Sequence, residues 1–173
     1  MRSAGSDNWT RASDRLSRLA GSQQRLEKGR SHVAAMIGGL LETCLYTADL
    51  GRARGFYCRL LDIDPVVDEE RICVFRLPDA SALILFRQGG TLEPVKLPGG
   101  VIPPHDGRGP IHFALAIADD AVDWWRQRLR DLEIGVESEV AWSPERGESL
   151  YFIDPDGHVG ELATRRIWRN FQG

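Results

Sequence analysis

The feature that most constrains this chain is that it contains one pattern twice. Glu42-Thr-Cys-Leu-Tyr-Thr-Ala-Asp49 lies over His112-Phe-Ala-Leu-Ala-Ile-Ala-Asp119 at an offset of 70 residues, and Phe75–Ile84 lies over Phe152–Glu161 at an offset of 77. A repeat of this length restricts the architecture more than any single motif, because each copy must form the same supersecondary unit. In the first copy, Leu40–Thr47 reads as a strand. Asp49 then offers an N-cap, and Leu50, Ala53, Tyr57, Leu60 and Leu61 recur at helical spacing. Short strands follow near 63–68, 71–77 and 81–87. The second copy repeats the order: a strand over Ile111–Ile117, then a helix capped by Asp119 or Asp120, with Val122, Trp125, Leu129 and Leu132 as its buried stripe. Gly135 supplies the stop, and strands follow near 136–142, 148–154 and 158–164. Trp124 and Trp125 read as helix packing. The expected fold class is α+β, with paired βαβββ modules forming a cup-shaped, half-open mixed sheet.

The repeat places four positions in equivalence: Glu42 and His112 on the first strands, Ile84 and Glu161 on the fourth. Three of the four are good ligands for a divalent metal. Glu161 follows the turn Asp154-Pro155-Asp156-Gly157, on a returning apolar strand where a carboxylate is costly unless paired or metal-bound. Alone, His112 reads as an ordinary hydrogen-bonded histidine and Glu42 as a solvated strand-start residue. The shared pseudosymmetric position favours the metal reading. Strand alternation puts Ala114 and Ala116 on the His112 face, leaving room for a substrate. His158 reads as a turn residue. His105 reads as a mobile loop histidine, with a lid over the cup as the rival. Ser149, Tyr151 and Arg146 fall near where a substrate would sit.

Composition sets the outer limits. The 173 residues suffice for one domain with a proper core, and no apolar run approaches the roughly 20 residues needed to cross a bilayer. Residues 1–35 hold seven Lys/Arg against three acids, whereas the whole chain has a net charge of −3, so the remainder is acidic and nucleic acid is not the expected partner. Cys44, Cys58 and Cys73 lack metal-type spacing and read as reduced thiols of a cytoplasmic protein. The Ser-, Arg- and Gly-rich residues 1–37 read as a disordered or non-native extension, Met36 being an alternative start. The domain then spans 38–165: module one over 38–88, a Gly/Pro-rich connection over 89–110, and module two over 111–165. Residues 166–173 form a tail. A connection this long is expected to be functional or disordered.

Tyr46-Thr-Ala-Asp49-Leu50 with Phe56-Tyr57 and Leu60-Leu61, then Gly109-Pro-Ile-His112-Phe-Ala-Leu, then Tyr151-Phe-Ile-Asp-Pro-Asp-Gly-His-Val-Gly-Glu161-Leu, together resemble the vicinal oxygen chelate superfamily. Its members include glyoxalase I, fosfomycin-resistance proteins, extradiol dioxygenases and bleomycin-resistance proteins. The resemblance covers about residues 38–165. It implies metal ligands at Glu42, His112 and Glu161, with Glu161 also the catalytic candidate, and a homodimer. It implies one divalent ion (Mn, Fe, Mg, Zn or Ni) and lyase, isomerase or dioxygenase chemistry on a small molecule with vicinal oxygens. Ile84 departs from the four-ligand glyoxalase pattern, and Glu42 departs from the His-His-Glu set. Two carboxylates and one imidazole make a harder site, favouring Mn²⁺, Mg²⁺ or Fe²⁺. The alternative is a metal-free drug-binding protein like the bleomycin-resistance members, with a regulatory or immunity-type domain as a third reading.

Overall fold

The computed structural model describes residues 37–143 and 145–169. The expectations for residues 1–36 and 170–173 lie outside them, and the compact unit that carries both modules begins at Leu40. Module one runs β1 (Glu42–Thr47), α1 (Leu50–Leu61), β2 (Val67–Glu69), β3 (Ile72–Arg76) and β4 (Ala82–Arg87), and its sheet has the order β1-β4-β3-β2. Module two runs β7 (His112–Ile117), α2 (Val122–Asp131), β8 (Ser138–Ser143), β9 (Gly147–Ile153) and β10 (Val159–Thr164), with the matching order β7-β10-β9-β8. Each first strand pairs parallel with its fourth, and the other ladders are antiparallel. This is the paired βαβββ architecture that the repeat predicts, as two open mixed sheets.

The repeat holds at the level of register. Ile84 lies opposite Cys44, and Glu161 lies opposite Ala114, one pleat beyond Glu42 and His112 respectively. The two fourth-strand turns also match in backbone: Ala80 (φ 68°) and Gly157 (φ 85°), 77 residues apart, are both left-handed. Alanine there resists the conformation that glycine accepts freely.

One core serves both modules. The inward faces of the sheets and the helices meet at Leu45, Tyr57, Leu60, Phe75, Phe113, Leu129, Phe152 and Leu162. Asp49 caps α1 as expected, accepting from the Arg52 N–H at 3.0 Å. The second helix differs at both ends. Its N-cap position is Ala121, which has no side chain to cap with, so neither Asp119 nor Asp120 fills that role. Its stop comes from Glu133 in left-handed conformation (φ 57°), two residues before Gly135. Within α2, Val122 and Leu129 are buried and Trp125 packs against the core. Trp124 is exposed, with the Arg128 guanidinium 5.6 Å from its ring. Beyond β10, a short helix α3 (Arg166–Arg169) buries Ile167, so this part of the tail docks on the domain.

The modules are locked together by the turn between β9 and β10. Buried Asp154 accepts the Tyr57 hydroxyl at 2.8 Å through one oxygen, and the N–H groups of Asp156 and His158 through the other. Asp156 accepts from the Thr47 hydroxyl at 2.5 Å, from the Ala48 N–H and from Arg52. His158 is not a surface turn residue but a 2%-exposed clamp. Its Nδ1 accepts from the Ile111 N–H at 3.2 Å and its Nε2 meets the Tyr46 carbonyl at 3.1 Å, which fixes the neutral Nε2–H tautomer. Replacing it leaves the Ile111 N–H without its acceptor and the Tyr46 carbonyl with only the long contact from Gln88 Nε2 at 3.4 Å. His158→Phe is therefore expected to cost about 2–4 kcal/mol in urea unfolding.

The same region sets an alkaline limit. Burial, then the charges of Asp154 and Asp156, raise the Tyr57 phenol, and burial pushes the Cys73 thiol up to about 11. Both groups ionise more readily in the unfolded chain. The stability they confer is thus full below the unfolded values of about 8.5 (Cys) and 10 (Tyr), and is lost as pH rises beyond them. The urea midpoint should hold through neutral pH and fall above about pH 9. Tyr57→Phe should flatten that fall while costing about 1–2 kcal/mol at neutral pH.

Candidate functional site

Alternation along β7 and β10 sends His112, Ala114 and Ala116 to the face away from the core, beside Glu161 and Ala163 of the neighbouring strand. Phe113 and Leu162, between them, are the core-facing residues. His112 is half exposed at the start of β7, whereas Glu161 is 5% exposed in a strand paired on both sides. The His112 Nε2 stands 3.1 Å from the Glu161 Oε2. The other carboxylate oxygen, Oε1, is buried with no hydrogen-bond partner. An orphaned buried carboxylate oxygen beside an imidazole is a costly arrangement that a bound cation would relieve. In donor type and burial the pair suits a divalent metal.

Around the pair, Tyr151 lies opposite Glu161 in the ladder, with its ring 6.0 Å from that of His112. Burial, then the negative charge of Glu161, raises the Tyr151 phenol, which stays protonated at neutral pH as a hydrogen-bond donor. Buried Ser149, one pleat along, accepts from the Trp142 indole N–H at 2.9 Å. Ser149 and Tyr151 thus join the site, and Trp142 is an addition that the sequence did not single out. An exposed tryptophan on an edge strand carries no signal without the neighbour it bonds.

Glu42 occupies the equivalent start of β1 but does not reach this pair. The clamp joins the C-terminal end of β1, at Tyr46, to Ile111 at the N-terminal approach to β7. Glu42 is four residues back along β1, about 13 Å at strand rise. It lines a hollow with Ala114 and Ala116 instead. Among the described residues, no three His, Cys, Asp or Glu side chains converge as a metal set. Ile84, the fourth equivalent position, is a buried hydrophobic residue opposite Cys44.

The corresponding face of module one has a different chemistry. The connection after β4 is not structureless: β5 (Val95–Leu97) and β6 (Gly100–Ile102) form a hairpin. Its return limb is tied down where the His105 N–H donates to the Thr91 carbonyl at 3.0 Å and the Thr91 hydroxyl donates to the His105 carbonyl. His105 is pinned, with its Nδ1 2.6 Å from the Tyr46 hydroxyl and its ring 4.8 Å from that of Phe86. Sheet and hairpin enclose a hollow of about 510 Å³ that also includes Glu42, Cys44 and Arg71. Burial, then the charge of Glu42, raises the Cys44 thiol. A smaller hollow of about 270 Å³ at the module junction is mainly apolar, and the Arg165 and Asp79 on its wall already pair with each other.

Residues 32–162 match the family described as the Glyoxalase/Bleomycin resistance protein/Dioxygenase superfamily. The metallothiol transferase FosB of Bacillus licheniformis is 25% identical over 134 residues, covering 78% of this chain and 80% of its own. The crystal structure of lactoylglutathione lyase from Agrobacterium tumefaciens is 30% identical, with a TM-score of 0.68, and covers 77% of this chain and 98% of its own. The fosfomycin resistance protein FosX of Listeria monocytogenes, complexed with Mn(II) and sulfate ion, shares the fold at 21% identity and a TM-score of 0.54, over 75% of this chain and 91% of its own. With most of its modules inside the family match and the same fold in its relatives, the chain belongs to the Glyoxalase/Bleomycin resistance protein/Dioxygenase superfamily.

Proposed function

We propose that the protein is a divalent-metal-dependent enzyme acting on a small molecule that offers two vicinal oxygens, and that it works as a homodimer. The observation that carries this reading is the buried Glu161 carboxylate, with one oxygen on His112 and the other without a partner. Glu42 of a second copy is the third donor. A twofold contact is self-complementary, so each Glu42 would meet the other chain's His112–Glu161 pair and build two sites at once. Exposed Ile111, Trp142 and Ile153 near the pair give such a contact apolar surface to cover.

Glu42, His112 and Glu161 would hold the ion, and the two carboxylates favour Mn²⁺, Mg²⁺ or Fe²⁺. A bound cation supplies Lewis acidity and open positions for the paired oxygens. The chain's own groups do the rest. Glu161, with its unpartnered oxygen, serves as general base toward a substrate C–H or O–H. The protonated Tyr151 phenol donates to an oxygen that gains negative charge. Ala114 and Ala116 leave space, and Trp142 walls one side. The lyase and fosfomycin-related relatives favour lyase or transferase chemistry over dioxygenation. The His112–Glu161 contact also supports the metal-free reading, since a charged imidazole would itself neutralise the carboxylate.

Elemental mass spectrometry on protein purified without tag or chelator separates these readings. The expected result is about one divalent ion per chain, lost in His112→Ala and in Glu42→Ala alike. Mixing those two variants should restore metal to about half the sites of each mixed dimer, because one site then regains all three donors. Glu161→Gln should abolish turnover. Full metal in Glu42→Ala alone would refute the shared site. Native protein that takes up no Mn²⁺, Fe²⁺, Zn²⁺ or Ni²⁺ would leave the drug-binding reading in its place.

A further inference from the structure

The hollow on module one is roofed, and its two ends differ in charge. Ile84 and Phe86 of the sheet face Val95 and Ile102 of the hairpin, around a space of about 510 Å³. That is the size of a small-molecule pocket with an apolar body and few polar groups. The roof is held close. A Cβ at Gly107 would fall 2.5 Å from the Tyr46 ring, so only glycine lets the return limb lie there, and the Gly89 N–H donates to Asp106 at 3.2 Å.

At the end near Tyr46 and Phe86 stand two donors that no carboxylate partners among the described residues. Arg71, whose carbonyl accepts the N–H of Arg87 at the end of β4, makes one side-chain hydrogen bond, to the Gly90 carbonyl at 3.4 Å. Among the described residues no carboxylate pairs with it. Burial, then the charges of Cys44 and Asp106, raises the Tyr46 phenol, so its hydroxyl is protonated and able to donate to the His105 Nδ1 2.6 Å away. With Nδ1 as acceptor the imidazole hydrogen sits on Nε2, which makes no hydrogen bond among the described residues. Glu42 lies at the other end, opposite Ala82 in the ladder whereas Tyr46 is opposite Phe86, about 13 Å away along the strand. An unpaired guanidinium beside an N–H donor on an apolar wall is a site for an anion, bound through charge-assisted hydrogen bonds.

We propose that this roofed hollow binds a small organic acid. Its apolar body lies between Ile84, Phe86, Val95 and Ile102, and its carboxylate lies on Arg71 with the His105 Nε2–H as second donor. This deepens the functional reading and rests on it only at the Glu42 end. It defines the substrate as a molecule with vicinal oxygens at one end and an anionic group at the other, across an apolar stretch.

The test titrates phenylbutyrate, phenylbutanol and phenylbutylamine into the full chain by calorimetry, with chelator present so that no metal contributes. The acid should bind about tenfold more tightly than the alcohol. Arg71→Met should reduce the acid to the alcohol's affinity and leave the alcohol unchanged. Arg87→Met, at the same end but already paired with Glu70, should preserve the preference. Acid and alcohol binding equally, a preference surviving in Arg71→Met, the amine binding most tightly, or no binding of any probe would each overturn the proposal. A protein that holds no metal but passes this test loses only the metal mechanism, and a metal-loaded protein that fails it loses only the acid pocket.

Discussion

The rest of this structure depends on the capture of one tight turn by the opposite module. Asp154, Asp156 and His158 sit within five residues of one another, and each makes at least one hydrogen bond to module one. Asp154 takes the hydroxyl of Tyr57, which has no exposed surface and lies at the centre of the shared core. Asp156 takes the end of β1 and the start of α1, while His158 bridges β1 to the approach of β7. The Tyr57–Asp154 bond is buried and those of Thr47 and His158 partly so, and a donor left unpaired there would cost desolvation that is not recovered. They hold the end of β1 against the approach to β7.

That constraint explains why so much of the fold was legible and why the site was legible only in part. Strand and helix order came from two periodicities and from a repeat that gave each element a second witness. The ladder register bears this out, with Ile84 and Glu161 one pleat beyond Glu42 and His112. Pairing within a module follows from that register, so the meeting of His112 and Glu161 was implicit in the sequence. What joins the modules was not. His158 in a Pro-Asp-Gly turn has the composition of an exposed turn, and nothing local distinguishes it from a 2%-exposed clamp reaching back 112 residues. The ends of α2 failed for a related reason. Glu133 adopts the left-handed conformation that residue preference alone assigns to the nearby Gly135. There, tertiary packing overrides local preference.

The two modules share a backbone and have diverged in the face they leave uncovered. On module two that face is polar: an imidazole, a buried carboxylate, a phenol and a serine held by an indole. On module one the position equivalent to Glu161 is Ile84, and the long connection folds back to cover an apolar hollow. The connection's Gly and Pro content suggested irregular chain, yet the Thr91–His105 pair and the Tyr46–His105 bond give it fixed anchors. Gly107 is part of the same solution, since any side chain there would strike Tyr46. One face offers chemistry and the other offers shape.

A chain built this way has reason to associate. Each module alone holds an incomplete complement: Glu42 stands without an imidazole, and His112 with Glu161 stands without the second carboxylate that the repeat places on β1. Among the described residues the three donors do not converge as a metal set within one chain, and the clamp fixes β1 in that arrangement. Moving β1 within the chain would break the bonds of Thr47, Ala48 and Tyr46 to the β9–β10 turn together. The proposed second copy would supply the missing donor with every one of those bonds intact. The rigidity of these bonds is therefore the physical reason for proposing that the third donor comes from a second copy and not from a movement of β1.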